Sequence, residues 1–251
     1  MTSCTSCAKD FPGDFRFCPM CGTPFSNEND PRYWGRKAIE SRLSGEDLAT
    51  SIESIKKACA MAPSNAHLLM GLASLHYRKG EISQAIEIYE KTVELRSDYP
   101  DAHYDLAVAY YRAGRIHKAI ASLETCVGIA RDYLAAYYWL GIAYYHVGRQ
   151  SQAIAAFSHM LALNPESVIA NYHLGVNYIS LGEYEKAIPN FKRVLEVCPD
   201  DDAAAYHLGM AFFNARRVGE ATDHFRTTVA RNPKDRRSVE MLEMITQAPG
   251  V

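Results

Sequence analysis

The sequence has little of what marks a membrane protein, a nucleic-acid binder or an enzyme. No run of eighteen or more apolar residues occurs, so no helix is expected to cross a bilayer. The first residues, MTSCTSC, have neither the basic region nor the apolar core of a secretory leader, and a cytoplasmic protein is expected. Net charge is small: 27 Lys and Arg stand against 29 Asp and Glu, giving −2, with the two signs interspersed. That balance argues against a general polyanion binder and makes nucleic acid an unlikely partner. There is no Gly-rich phosphate loop, no His-Glu-x-x-His, and no Ser, His and acid in a recognisable motif. A non-catalytic protein is expected. Tryptophan is scarce, with two residues, whereas tyrosine is plentiful, with 16.

What is present is a repeat. In the 34 residues from Leu134 to Ser167, Tyr137, Leu140, Gly141 and Tyr144 fall at i, i+3, i+4 and i+7, one face of a helix. Gly148 suits a left-handed helix end. Ala153, Ile154, Phe157, Met160 and Leu161 form a second helical stripe, which Asn164-Pro165 stops. One unit is a helical hairpin. At a shift of 34, Leu72, Leu106, Leu140, Leu174 and Leu208 align, and so do the small residues Ala73, Ala107, Gly141, Gly175 and Gly209. Gly80, Gly114, Gly148 and Gly182 fill the turn, with Arg216 the one departure. Ala85, Ala119, Ala153, Ala187 and Ala221 align without exception, and Tyr89, Leu123, Phe157, Phe191 and Phe225 share one bulky site.

This pattern resembles the tetratricopeptide repeat family over Ala66 to Asp235, about two-thirds of the chain. The resemblance implies an all-α, right-handed α-solenoid of helix-turn-helix repeats, used as an interaction scaffold. Five units are expected over 66–235, after a degenerate first repeat at 32–65 in which Ala38 stands for the recurring Leu and Ser51 for the recurring Ala. Within it, Leu48, Ile52, Ile55 and Cys59 make a helical stripe. Asp30-Pro31 suits a helix start. Pro189 is expected to bend the second helix of its unit. A capping helix is expected at 236–247.

Residues 1–25 carry four of the seven cysteines. Cys4 and Cys7 form one Cys-x-x-Cys, and Cys18 and Cys21 another. Two such pairs complete a tetrahedral four-sulfur site, which suits one structural Zn2+. The segment looks like a small zinc ribbon, with FCPMCG as its second knuckle. So few residues cannot fold on apolar burial, so the metal should supply the folding energy. Four thiolates leave no place for a catalytic water. Residues 26–31 read as a linker. The other cysteines, Cys59, Cys126 and Cys198, are scattered and suit reduced thiols.

In the tetratricopeptide family the first helices of successive units line a concave surface. The resemblance places Met70, Tyr104, Tyr138, Tyr172 and Tyr206 there as one column, and Tyr77, Tyr111, Tyr145, Ile179 and Phe213 as a second. Between them lie Ser74, Val108, Ile142, Val176 and Met210. Tyrosine is common in the first two columns of any member, so the third is the more informative. The chaperone-binding members hold a terminal carboxylate with Lys and Asn, and the third column here is mostly aliphatic instead. A protein or peptide segment with apolar anchors is the expected partner. Oligomerisation is compatible with this surface. His173 and His207, one period apart, are too few for a metal site and are expected as groove-edge polar residues. The alternative is a zinc-dependent regulator, redox-responsive or nucleic-acid-binding through the ribbon, with the repeats as its dimerisation or effector arm.

Overall fold

The computed structural model describes residues 2–3, 10–11, 30–43 and 48–247. Two short strands, β1 (Thr2–Ser3) and β2 (Asp10–Phe11), pair antiparallel, with Thr2 opposite Phe11 and Ser3 opposite Asp10. Cys4, Cys7, Cys18 and Cys21, and with them the expected zinc ribbon, lie outside the described residues.

Thirteen helices follow among the described residues. They are α1 (Pro31–Leu43), α2 (Leu48–Met61), α3 (Ala66–Lys79), α4 (Ile82–Leu95), α5 (Pro100–Arg112), α6 (Ile116–Ile129) and α7 (Leu134–His146). After these come α8 (Gln150–Leu163), α9 (Val168–Ser180), α10 (Tyr184–Val197), α11 (Asp202–Asn214), α12 (Val218–Arg231) and α13 (Arg236–Gln247). None is long and apolar enough to cross a membrane. The chain divides into two compact units, 1–109 and 110–251, with the division inside α5 between Ala109 and Tyr110.

Local chemistry sets the helix ends. Asp30 accepts the Arg32 amide at 2.8 Å ahead of α1. The side chains of Asn65, Ser167 and Asp201 accept backbone amides of the first turn of α3, α9 and α11, as N-caps do. Gly80, Gly114, Gly148 and Gly182 all have φ between 74° and 88°. Each sits in the same pair of bonds: Gly148 N–H donates to Tyr145 O and Arg149 N–H to Tyr144 O. Arg216 takes φ 63° and makes the same two bonds, to Phe213 O and, through Arg217, to Phe212 O. The fifth turn therefore keeps the geometry without the glycine.

The recurring alanines Ala85, Ala119, Ala153, Ala187 and Ala221 are all fully buried. The Gly141, Gly175 and Gly209 sites are close approaches. A Cβ there would lie 2.5–2.6 Å from the ring of Phe157, Phe191 and Phe225 respectively, and those rings are fully buried. The two units that carry Ala at this site, Ala73 and Ala107, carry Tyr89 and Leu123 at the bulky site instead of Phe. The pairing of glycine with phenylalanine is thus a matter of volume.

In the first unit, Ala38, Ile52, Ile55, Cys59, Leu69, Leu72 and Leu75 form one core, with Leu48 packed against it. The stripe expected for the degenerate repeat is inside. In the second unit, Ala187, Ile188, Phe191, Val194, Leu208, Phe212 and Phe225 form a core that Ile245, Met241 and Leu242 of α13 join. Ser238 Oγ donates to Asp235 Oδ2 at 2.7 Å at the head of α13. The last helix covers apolar surface, as a cap must. Helix α10 runs unbroken through Pro189.

Candidate functional site

The site is built on the second unit, from helices that carry almost no charge. α7, α8 and α9 contain no Asp, Glu, Lys or Arg, and α11 contains only Asp202. Asp202 is turned aside, to Arg231 at 3.1 Å and Asn232 at 2.6 Å. Because i, i+3 and i+4 positions share a face, each odd helix presents its column residues together. On α9 these are Ile169, Tyr172, His173 and Val176; on α7 they are Tyr138, Trp139 and Ile142.

The rings form a continuous ladder. Tyr111 meets Trp139 at 5.0 Å between centroids, and Trp139 meets Tyr138 at 5.7 Å. Tyr138 then meets His173 at 5.6 Å, and His173 meets Tyr172 at 5.6 Å. Tyr172 meets His207 at 5.9 Å, and His207 meets Tyr206 at 5.7 Å. The Arg237 guanidinium closes the row 4.8 Å from the Tyr206 ring centre. All the ring pairs are edge-on, an arrangement that the π quadrupole favours. Beneath the ladder, His173 stacks on Phe157 at 4.9 Å and 11°, and His207 on Phe191 at 5.5 Å and 18°.

The histidine rungs are uncharged at neutral pH, and charges near the ladder include Arg237 at its end and Asp201 beside Tyr172 and His207. Burial holds the His173 imidazole below the usual histidine range. Burial does the same for His207, helped by Arg237 and opposed by Asp201. Burial pushes the Tyr111 and Tyr172 phenols up, with Tyr138 adding to the first and Asp201 to the second. Tyr145 also raises Tyr172. Within the second unit the Tyr111 phenol thus feels Tyr138, and the Tyr172 phenol feels Tyr145.

Most of the expected residues meet here. Tyr111, Tyr138, Tyr172 and Tyr206 are half-buried members of the ladder, with Ile142 and Val176 half-buried between them. Tyr145 is 36% exposed at its edge. Tyr104 belongs to the first unit, half-buried on α5. The histidines depart from expectation. His173 and His207 are integral rungs lying on phenylalanine rather than polar edge residues. The signal was the column Asp105, Trp139, His173, His207, directly after the tyrosine column. No group of three or more His, Cys, Asp or Glu among the described residues is placed to hold a metal. In the first unit, the Tyr89 hydroxyl donates to Asp105 Oδ2 at 3.5 Å, and burial and Asp101 push the Asp105 carboxyl up to about 6.

A family model described as tetratricopeptide repeat matches residues 104–168 and 172–236, more than half of the chain, and a TPR repeat model matches 73–114. The chain belongs to the tetratricopeptide repeat family. Its members are protein-interaction scaffolds. No curated protein matches the chain in sequence. Among solved structures it is similar to MamA, at 28% identity and a TM-score of 0.61, over 63% of this chain and 92% of that one. It is also similar to YrrB, described as a TPR protein with an unusual peptide-binding site, at 19% identity and a TM-score of 0.69 over 76% and 98% of the two chains. PilF of Pseudomonas aeruginosa matches at 15% identity and a TM-score of 0.65 over 85% and 97%. At such identities the last two share the fold alone.

Proposed function

We propose that this tetratricopeptide protein is a non-catalytic scaffold that holds a protein or peptide segment on the aromatic face of its second unit. One observation carries the proposal: the unbroken ring ladder from Tyr111 to Tyr206 stands on helices almost devoid of charge. Tyrosine offers a broad apolar face and a hydrogen-bonding tip at small entropic cost, which suits recognition of a segment with apolar anchors. YrrB, of similar fold, is described with a peptide-binding site. Tyr111, Tyr138, Tyr145, Tyr172 and Tyr206 make the contact, with Ile142 and Val176 as the apolar floor. Tyr104 extends the column in sequence.

The proposal includes one structural Zn2+ on Cys4, Cys7, Cys18 and Cys21. It rests on their spacing, and on the strand pair that brackets the first Cys-x-x-Cys in sequence. The scattered thiols of Cys59, Cys126 and Cys198 suit a reducing, cytoplasmic setting.

The test is affinity capture from native cytosol with wild type and Tyr138→Ala/Tyr145→Ala side by side. Loss of the captured proteins with unchanged helical circular dichroism supports the proposal. Undiminished capture refutes it.

A further inference from the structure

We infer that the apolar segment held on the aromatic face continues into an acidic flank, which lies on the rim of intra-repeat turns beside Tyr111. The inference rests on the aromatic face being the binding surface. It specifies the charge and the polarity of what that surface holds.

The two edges of the second unit differ in charge. Its helices alternate in direction, so the turns inside the hairpins lie along one rim and the links between hairpins along the other. The first two turns, 112–115 and 146–149, hold Arg112, Arg115 and Arg149 and no acid, and Lys118 follows in the first turn of α6. All four side chains are exposed. The links hold Asp132, Glu166, Asp200, Asp201 and Asp235 against Arg131 and Lys234. Further along the turn rim, cations meet carboxylates of their own. Lys186 pairs with Glu183 at 2.7 Å, and Arg217 with Glu220 at 2.5 Å and Glu185 at 3.0 Å.

The fold does not ask for the uncompensated stretch. Arg115 and Arg149 immediately precede α6 and α8, make no side-chain cap, and are followed by no acidic residue in the first turn. A helix start is the positive end of the helix dipole and favours acidic side chains. Glu185 in α10 and Glu220 in α12 follow that preference. Among the described residues no ion pair uses Arg115 or Arg149. Glu124, the one acid of α6, accepts the Tyr144 hydroxyl at 2.5 Å.

The ladder leads onto this stretch. His146, the last residue of α7, meets Tyr111 at 5.9 Å and Tyr145 at 5.9 Å between ring centres. Arg112 directly follows Tyr111, and Arg149 stands three residues after His146. A segment lying along the rungs meets these guanidiniums as it leaves the ladder at Tyr111. The other end differs. Arg237 there is held by Asp235 at 3.3 Å, and Asp201 acts on Tyr172 and His207. Carboxylates on the segment are drawn to the Tyr111 end and repelled from the Tyr206 end. Guanidinium–carboxylate pairs at an exposed rim add little affinity each, but they set orientation and partner choice. A nucleic acid fits less well, because its evenly spaced phosphates would also meet the acidic rim and the charge-free helices.

The test uses the full chain, immobilised, and three pools of end-blocked peptides. All pools share an apolar core randomised over Ala, Leu, Phe, Pro and Val. They differ in a flank of Glu, Gln or Lys, placed at either end. Retention is read by mass spectrometry at about 0.02 M and about 1 M salt. The Glu pool should be retained about fivefold over the Gln pool at low salt, and about equally at high salt, where the screening length falls to about 3 Å. Arg115→Glu/Arg149→Glu should reverse the order in favour of the Lys pool. Its melting temperature should stay level or rise, since Glu suits a helix start, so lost retention is not lost folding. Equal retention of the three pools by wild type, or an unchanged preference in the arginine variant, overturns the inference and leaves the scaffold function standing. Undiminished retention of the Glu pool by Tyr138→Ala/Tyr172→Ala also overturns it, because the rim would then act without the ladder. Tighter binding of an oligothymidylate than of the Glu pool overturns it in favour of nucleic acid. No retention of any pool by wild type overturns it too, and the capture experiment with Tyr138→Ala/Tyr145→Ala then decides separately whether the face binds protein at all.

Discussion

Gly141→Ala should destabilise the protein, although alanine is the better helix former. At an unconstrained helix position the exchange gains up to about 1 kcal/mol. At Gly141 the new Cβ would stand 2.5, 2.7 and 2.8 Å from three carbons of the Phe157 ring, against an ordinary contact of about 3.5–4.0 Å. The ring is the far end of its side chain, but it cannot swing away: it is fully buried, and His173 lies flat on it at 4.9 Å. Overpacking of this kind costs about 1–3 kcal/mol, so after the propensity gain the net loss should be up to about 2 kcal/mol. Phe157→Leu alone leaves a void and should cost a similar amount. Together the two changes reproduce the Ala107 and Leu123 of the preceding repeat. The double variant should recover most of the loss, with a coupling energy of about 1–2 kcal/mol. Guanidinium unfolding followed by Trp139 fluorescence in a Trp34→Phe background reads the second unit directly. Gly128→Ala is the control, since its Cβ would meet nothing within 4 Å. That variant should be neutral or slightly stabilised. If Gly141→Ala is as stable as Gly128→Ala, the volume argument fails.

Arg216→Gly should raise the melting temperature, because Arg216 holds φ 63° at a cost of about 1 kcal/mol that glycine does not bear; an unchanged or lower midpoint would count against it. Asp105→Asn should stabilise by up to about 3 kcal/mol at pH 7, since the carboxyl is raised from 3.8 to about 6 in the folded state. The folded protein keeps that proton while the unfolded chain loses it between about pH 4 and 6, so the advantage should shrink toward pH 4. His173 and His207 act in the opposite direction: with folded values below 6.5, stability is full above that pH and falls as pH drops through it. His173→Gln/His207→Gln should flatten the fall in melting temperature between about pH 7 and 5, and an unaltered slope would show that these rings are not the titrating groups.

The hairpins, the turn glycines and the tyrosine columns were legible because each is a one-position signal repeated at 34 residues. Arg216 shows the limit of that signal. Its identity departs from the column, yet its backbone does not, because the flanking helices impose the same pair of hydrogen bonds. The histidine rungs were not legible for a different reason. Whether position 173 lies at an edge or on the Phe157 ring depends on how one hairpin packs on the next, and no single column carries that. The glycine–phenylalanine match is of the same kind: it is visible only when two columns are compared as volumes.

Packing explains the tyrosines of the ladder, but it does not explain the missing charges. Positions that open to solvent on a first helix are free to be ionic, and α5 shows this with exposed Asp101 and Arg112. One and two repeats after Asp101 stand Ala135 and Ile169; after Arg112 stand His146 and Ser180. Ile169 is 56% exposed, so no core demands it, and water would favour almost any polar residue there. It lies three and four residues before Tyr172 and His173, on the same helix face. Neutrality maintained at solvent-facing positions of α7 and α9, where stability does not require it, is what a surface selected for an uncharged apolar partner would show. A Glu at Ile169 therefore separates the two explanations: Ile169→Glu should leave the melting temperature within about 0.5 kcal/mol of wild type, as exposed substitutions do, and should still weaken capture of the partner. Full capture by that variant would return the aromatic face to a purely structural role.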